Sequence, residues 1–397
     1  MSAAPSRRLG WLNRTVFAIG FASLFSDVGH EMATTAMPAL LASFGASAAV
    51  LGIIEGVSDG VSSFAKLFSG LYSDRLHHRK PLASAGYFLT AAGMASFALA
   101  TNAWHVAIGR VIGWLGRGAR GPVRNVLLTE ATTPETRGRA FGLERSMDSA
   151  GAVVGPLLAL AISASFGART LFALTLVPGL IAALLVTFVV VEKPHSPRSR
   201  RRFWQSFRGL PPRFRRFLLG VGIAGLGDFS NTLLILFATR AWTPRLGAHA
   251  AATWAMAFYV GYNVVYTFSP SIAGALVDRF PKHLVLAFGY ALAVVPAAVL
   301  MTPDDSFVKF GIVFGLSGFY MGFWETVEST SAAAYLPEDV RGAGFGVLAT
   351  VNGLGDLVSS AAVGALWALH PSAAMGFVIL TSLVGAAFVA SNRPEAA

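Results

Sequence analysis

The sequence predicts an all-α membrane protein: twelve transmembrane helices arranged as two pseudo-symmetric six-helix halves. Three observations carry that expectation. Apolar residues make up 54% of the 397-residue chain and charged residues only 13%, about half the charged share of a soluble domain. The apolar runs are long enough to cross about 30 Å of hydrocarbon. One short charged turn also occurs twice. Gly70, Asp74 and Arg75, followed by Arg79 and Lys80, are matched by Gly274, Asp278 and Arg279, followed by Lys282. A turn repeated between hydrophobic runs marks a duplicated bundle.

The runs place spans at 15–41, 48–73, 82–100, 104–128, 138–165 and 170–191, then at 217–241, 250–277, 284–301, 307–335, 342–369 and 373–390. The first is read as a retained helix and not a signal peptide, because it is long and is interrupted by Asp27, His30 and Glu31. Three parts follow: a bundle over 1–192, a basic linker over 193–216 and a second bundle over 217–397. In the linker, Phe203, Trp204, Phe207 and Leu210 share a face opposite arginines. That pattern reads as a short interfacial helix on an anionic leaflet.

The formal charge is +11, but the excess sits in alternate loops beside apolar helices. It is a topology signal, not a nucleic-acid footprint, and it puts both termini and the linker in the cytoplasm; the expected location is a bacterial inner membrane. There is no cysteine, so disulfides and thiolate chemistry are excluded. No zinc-helix motif, serine elbow or nucleotide loop appears, so neither enzyme activity nor a cofactor is expected. The expected partners are a small-molecule substrate, protons and membrane lipids, with the chain a monomer.

Charges inside spans are costly and mark function. Asp27, His30 and Glu31 lie on one face of the first span, near its middle. Glu55, Asp59 and Lys66 form a stripe on the second, and Arg110, Arg117, Arg120 and Arg124 another on the fourth. Glu144 and Asp148 share a face of the fifth with Gly151 and Gly155. Asp228 and Asn231 lie in the seventh, Tyr259 and Asn263 in the eighth, Glu325 and Glu328 in the tenth. Asp27, Glu31 and Asp228 are candidates for proton or substrate binding, joined by His30, Glu55, Asp59, Asn231, Tyr259 and Asn263. Arg117, Arg120, Arg124, Glu325 and Glu328 are candidates for cavity lining or gating. The same Asp27, His30, Glu31 and Asp228 are also the ligand types of a divalent-metal site, although no metal ligand is assigned, and the arginines suit an organic anion.

The paired turns resemble the signature loops of the major facilitator superfamily, and the resemblance runs over almost the whole chain. It implies that superfamily's fold and a cytoplasmic latch built from Gly70, Asp74, Arg75, Arg79 and Lys80, with Asp278 and Arg279 in the second copy and Glu144 and Asp148 nearby. Gly142, Gly151, Gly155 and Pro156 are similar to the fifth-helix motif of its drug/proton antiporters, with Ala159 and Leu160 where two further glycines usually stand. The resemblance implies a secondary active transporter of a small organic solute, an organic anion or a drug-like compound, working by alternating access with proton antiport and efflux. Divalent-metal transport and proton-coupled import of an organic anion stay open beside it.

Overall fold

The computed structural model describes residues 11–46, 48–192, 209–229 and 231–392. Arg198, Arg200, Arg201, Arg202 and Arg208 of the linker and the interfacial face of Phe203, Trp204 and Phe207 lie outside them, as does the side chain of Asn231, whereas Arg213, Arg215 and Arg216 lie in the helix that begins at Pro212. Among the described residues every regular element is a helix. The first half comprises α1 (Arg14–Ser43), α2 (Ala48–Ser73), α3 (Lys80–Ala95, continued by a short 3₁₀ turn), α4 (Ala103–Glu130), α5 (Arg137–Phe166), and a sixth span split into α6 (Ala168–Leu174) and α7 (Leu176–Leu184). The second half comprises α8 (Pro212–Gly225), α9 (Asn231–Leu246), α10 (Ala248–Arg279), α11 (Lys282–Leu292), α12 (Val294–Leu300), α13 (Phe307–Tyr335), α14 (Arg341–Leu369) and α15 (Pro371–Ala390). Pairing α6 with α7, α8 with α9 and α11 with α12 gives twelve spans. Seven of them are long and apolar enough to cross a membrane by length and composition alone. Among the other five are α1, α2 and α4, which carry the buried charges described below.

The chain forms two compact units. One comprises residues up to Gly209 together with Pro337–Thr350, so it includes the first turns of α14; the other comprises Leu210–Leu336 and Val351–Ala397. In the first unit α1 packs along α5, and α4 packs along both α2 and α3. Its apolar core gathers Val28, Met32, Met37, Phe97 and Phe172. In the second unit α10 packs along α13, and α15 along α8 and α11, around Phe237, Trp242, Phe310 and Phe314.

Local chemistry explains where helices begin and break. The Asn13 side chain caps α1, its Oδ1 accepting from the backbone N–H groups of Thr15 and Val16, each at 3.0 Å. Asn102 and Ser306 cap α4 and α13 in the same way. The seventh span, expected unbroken over 217–241, is two helices. The N–H groups of Gly227 and Asp228 turn back to the carbonyls of Ala224 and Gly225. Glycines at 225 and 227 are poor helix formers, so the helix stops there. The ninth span bends where Pro296 lacks the N–H that would continue the ladder.

Trp242 anchors one end of the second unit. Its side chain is buried, its indole N–H donates to the Asp305 carbonyl at 2.9 Å, and its ring packs on Phe258, Phe307 and Phe310. Trp242→Ala is expected to cost about 3–5 kcal/mol, measured as a lower melting temperature in detergent. Trp242→Phe, which keeps a ring and loses the N–H, should fall much less; equal losses would contradict a packing role.

Candidate functional site

The first unit contains a ladder of charges built on α4. Helical spacing puts Arg110, Arg117, Arg120 and Arg124 along one stripe, and three of the four find carboxylates on three different helices. Arg110 grips Glu55 of α2 with two hydrogen bonds of 2.9 and 2.8 Å and donates to Thr34 of α1 at 2.8 Å. Arg117 donates to Asp27 of α1 at 2.7 Å. Arg124 meets Glu144 of α5 at 2.7 Å, and Ser23 of α1 bridges the two, accepting from Arg124 at 3.0 Å and donating to Glu144 at 2.8 Å. Asp148 stands 3.7 Å from Arg124.

Arg120 is different. It is buried and stacked 4.1 Å above the Tyr87 ring of α3, and its Nε and Nη1 have no hydrogen-bond partner. The Tyr87 hydroxyl is likewise unpartnered. Trp114 lies within 4.9 Å of the Arg110 guanidinium, 5.3 Å of that of Arg117 and 4.9 Å of the His30 ring, measured from its centroid. Its large π face shields two like charges from each other. His30 is buried, with Nε2 3.5 Å from the Thr34 hydroxyl and 3.9 Å from Glu31. Asp59, further along α2, is exposed.

Glycines let α1 bring these acids against α5. A Cβ on Gly151 would meet the Asp27 Cβ and the Leu24 carbonyl, each at 2.8 Å. One on Gly155 would meet the Glu31 Cβ at 2.6 Å and the Val28 carbonyl at 2.9 Å. The glycines of the fifth span therefore face the two carboxyl-bearing positions of the first, where only a hydrogen fits.

A second network ties the ends of α2, α3, α4 and α14. Asp74 accepts from the backbone N–H groups of Gly342 and Ala343 at 2.9 and 2.8 Å, an anion on a helix N-terminus. Gly70 lies against the Gly342 carbonyl, closer than a Cβ would allow. Arg79 is fully buried, donates to Glu130 at 2.5 Å and lies 3.6 Å from Asp74. Glu192 accepts from the backbone N–H groups of Arg79 and Lys80 at 2.5 and 3.1 Å. Arg75 is exposed. Asp278 and Arg279 close α10 in the second unit. Glu130 and Glu192 were missed in the sequence. Their signal was an acid at the end of a span, opposite the basic turn.

In the second unit the polar groups are acids and phenols. Glu328 accepts from the Tyr290 hydroxyl at 2.7 Å and from Asn352 at 2.5 Å. Glu325 accepts from Tyr266 at 2.7 Å. Asp228, in the break between α8 and α9, lines a cavity of about 40 Å³ with Tyr262 and Tyr320. Asn263 is turned onto the Tyr259 carbonyl of its own helix at 2.9 Å. Among the described residues no group of three or more His, Asp and Glu is placed to hold a metal ion. The donors Tyr290, Tyr320 and Trp324 were also missed, since isolated aromatics in an apolar run carry no distinguishing pattern.

The family model of the Major Facilitator Superfamily matches residues 19–360. An uncharacterized MFS-type transporter of Methanocaldococcus jannaschii is 25% identical over 364 residues, 91% of this chain and 90% of its own. The multidrug resistance protein MdtH of Photorhabdus laumondii is 40% identical over 79 residues, 20% of each chain. Among solved structures, the transporter FucP in an outward conformation has a TM-score of 0.77 at 17% identity, covering 96% of this chain and 99% of its own. The human organic anion transporter MFSD10 has a TM-score of 0.76 at 14% identity, covering 95% of this chain and 99% of its own.

Two outcomes follow from this geometry. Gly151→Val should force α1 from α5 and lower both the melting temperature and any function that depends on Asp27; an unchanged melting temperature would contradict the close approach. Burial pushes the Asp74 carboxyl from 3.8 up to about 6, against the pull of the Ala343 and Gly342 N–H groups and Arg79. A folded state that binds its proton more tightly than the unfolded chain is stabilised below that chain's pKa, and the stabilisation is lost as pH rises through the folded value. Thermal melts between pH about 4 and about 7 should therefore show a falling contribution from Asp74, which Asp74→Asn removes.

Proposed function

The chain belongs to the major facilitator superfamily, and on that premise we propose that it is a secondary active transporter exchanging protons for a small organic solute by alternating access. The observation that carries the proposal is the Asp27–Arg117 pair, 2.7 Å long, with Asp27 buried on α1. A proton and the Arg117 charge compete for one carboxylate. Protonation removes the charge that holds the guanidinium, which is then free to meet another anion. Glu31 offers a second carboxyl one turn along the same helix, and His30 a proton acceptor between them. Ionisable groups buried in this way are the material of proton relays in transporters.

The glycines at 151 and 155 and the short likeness to MdtH support efflux as the direction. The network of Asp74, Arg79, Glu130 and Glu192 is the proposed latch, with the basic loops and both termini in the cytoplasm of a bacterial cell. Lipids surround the exposed apolar faces, and the working unit is a monomer. One observation favours a second reading, proton-coupled import of an organic anion: Arg120 is the arginine of the ladder with two unpartnered nitrogens. The other three are already neutralised by Glu55, Asp27 and Glu144.

Proteoliposomes loaded with a pH indicator test the proposal. Addition of a transported solute should move protons opposite to the solute, and Asp27→Asn should abolish that movement while solute binding persists. Co-movement of protons and solute selects import. Full coupling in Asp27→Asn would remove the carboxylate from the mechanism.

A further inference from the structure

Three neighbouring residues of the first unit hold buried donors with no acceptor. Nε and Nη1 of Arg120, Nε of Arg124 and the Tyr87 hydroxyl all lie in the interior without a hydrogen-bond partner. Arg120 is 2% exposed and Tyr87 1%. Gly86 brings α3 against α4 at this level, since a Cβ there would meet the Arg120 Cβ at 2.8 Å. The Arg120 guanidinium stacks 4.1 Å from the centre of the Tyr87 ring. Arg124 stands one turn further along α4, and Tyr87 interacts with both guanidinium charges.

Negative charge is short there as well. Arg117 is held by Asp27 and Arg124 by Glu144. Both arginines repel Arg120 from one turn away. The carboxylate whose field reaches Arg120 is that of Asp148, which also serves Arg117, Arg124 and Arg145 and whose Oδ1 accepts no hydrogen bond. A guanidinium offers five donors, and burying one whose charge and donors are so incompletely met is costly. A water would satisfy the donors and leave the charge. A small anion meets both needs. The donors are sealed from the surface, so the anion is compact. It is also monovalent, because a doubly charged ion costs far more to strip of water.

We propose that Arg120, the Tyr87 hydroxyl and Nε of Arg124 bind a chloride ion inside the first unit. The ion is bound whichever solute is carried and in whichever direction.

The test is the melting temperature of the purified full chain as sodium chloride replaces sodium gluconate at constant ionic strength. The wild type should gain about 2–4 °C and then level off, as a ligand of the folded state does. Arg120→Gln, which removes the charge and keeps a polar group, should gain nothing. Tyr87→Phe keeps the ring beside the guanidinium and loses the hydroxyl. The chloride needed for half the gain should then rise about tenfold, the worth of one hydrogen bond. A water linking Arg120 to Asp148 predicts no gain from chloride in the wild type, and that result overturns the proposal. Equal gains in the wild type and Arg120→Gln mean a general salt effect only, and overturn it too. If the variants do not fold, wild-type crystals grown in sodium bromide decide the matter. An anomalous peak beside Arg120 and Tyr87 supports the site, and its absence removes it.

Discussion

A guanidinium in hydrocarbon must have a counter-charge, and α4 carries four of them on one stripe. The first unit is arranged around that demand. The counter-charges come from Glu55 on α2, Asp27 on α1 and Glu144 on α5, so a single helix fastens three others. Breaking such a pair by removing one partner leaves a buried charge, which is far more damaging than losing a surface contact. Glycines at 151 and 155 complete the arrangement, because the α1 acids reach α4 from a backbone that lies directly against α5. The ion pairs and the small residues serve one geometry.

Arg120 departs from that scheme, and its surroundings show how a membrane interior accommodates a charge without a carboxylate bonded to it. The Tyr87 ring supplies a negative π face at 4.1 Å. Trp114 does similar work between Arg110 and Arg117. Such contacts are weaker than an ion pair, so the α4 stripe is graded: firmly neutralised at Arg110, Arg117 and Arg124, and held only by aromatic contact at Arg120. A stripe graded in this way can respond at one position while the rest holds the helices in place.

The second unit solves the opposite problem. Two of its glutamates accept from neutral donors, Glu325 from Tyr266 and Glu328 from Tyr290 and Asn352. Phenols and amides satisfy lone pairs without cancelling charge. The break at Gly225–Asp228 opens the seventh span at the level of these acids, and the cavity beside Asp228 lies where regular backbone gives way. Non-helical backbone at membrane depth is tolerated where protein or a cavity surrounds it. Arg124 and Glu328, separated by the same 204 positions as Gly70 and Gly274, carry opposite charge.

Hydrophobic run length and the repeated turn were enough to establish a helical membrane protein of twelve spans, because each span is a local property of the chain. Helical spacing likewise put Asp27, His30 and Glu31 on one face and the arginines on another. Which acid meets which arginine was not legible, since Arg117 and Asp27 are 90 residues apart and Arg110 and Glu55 are 55 apart. Nor were the Asp74 contacts with α14, 268 and 269 residues away, or the break in the seventh span, where two glycines overrode an apolar run. The amino-acid order alone determined which segments are helical and which face of each carries charge, because those follow from periodicity. Pairing, burial and cavity walls were decided only when the helices packed, because a charge in a low-dielectric interior takes its partner from whatever helix packing brings within reach.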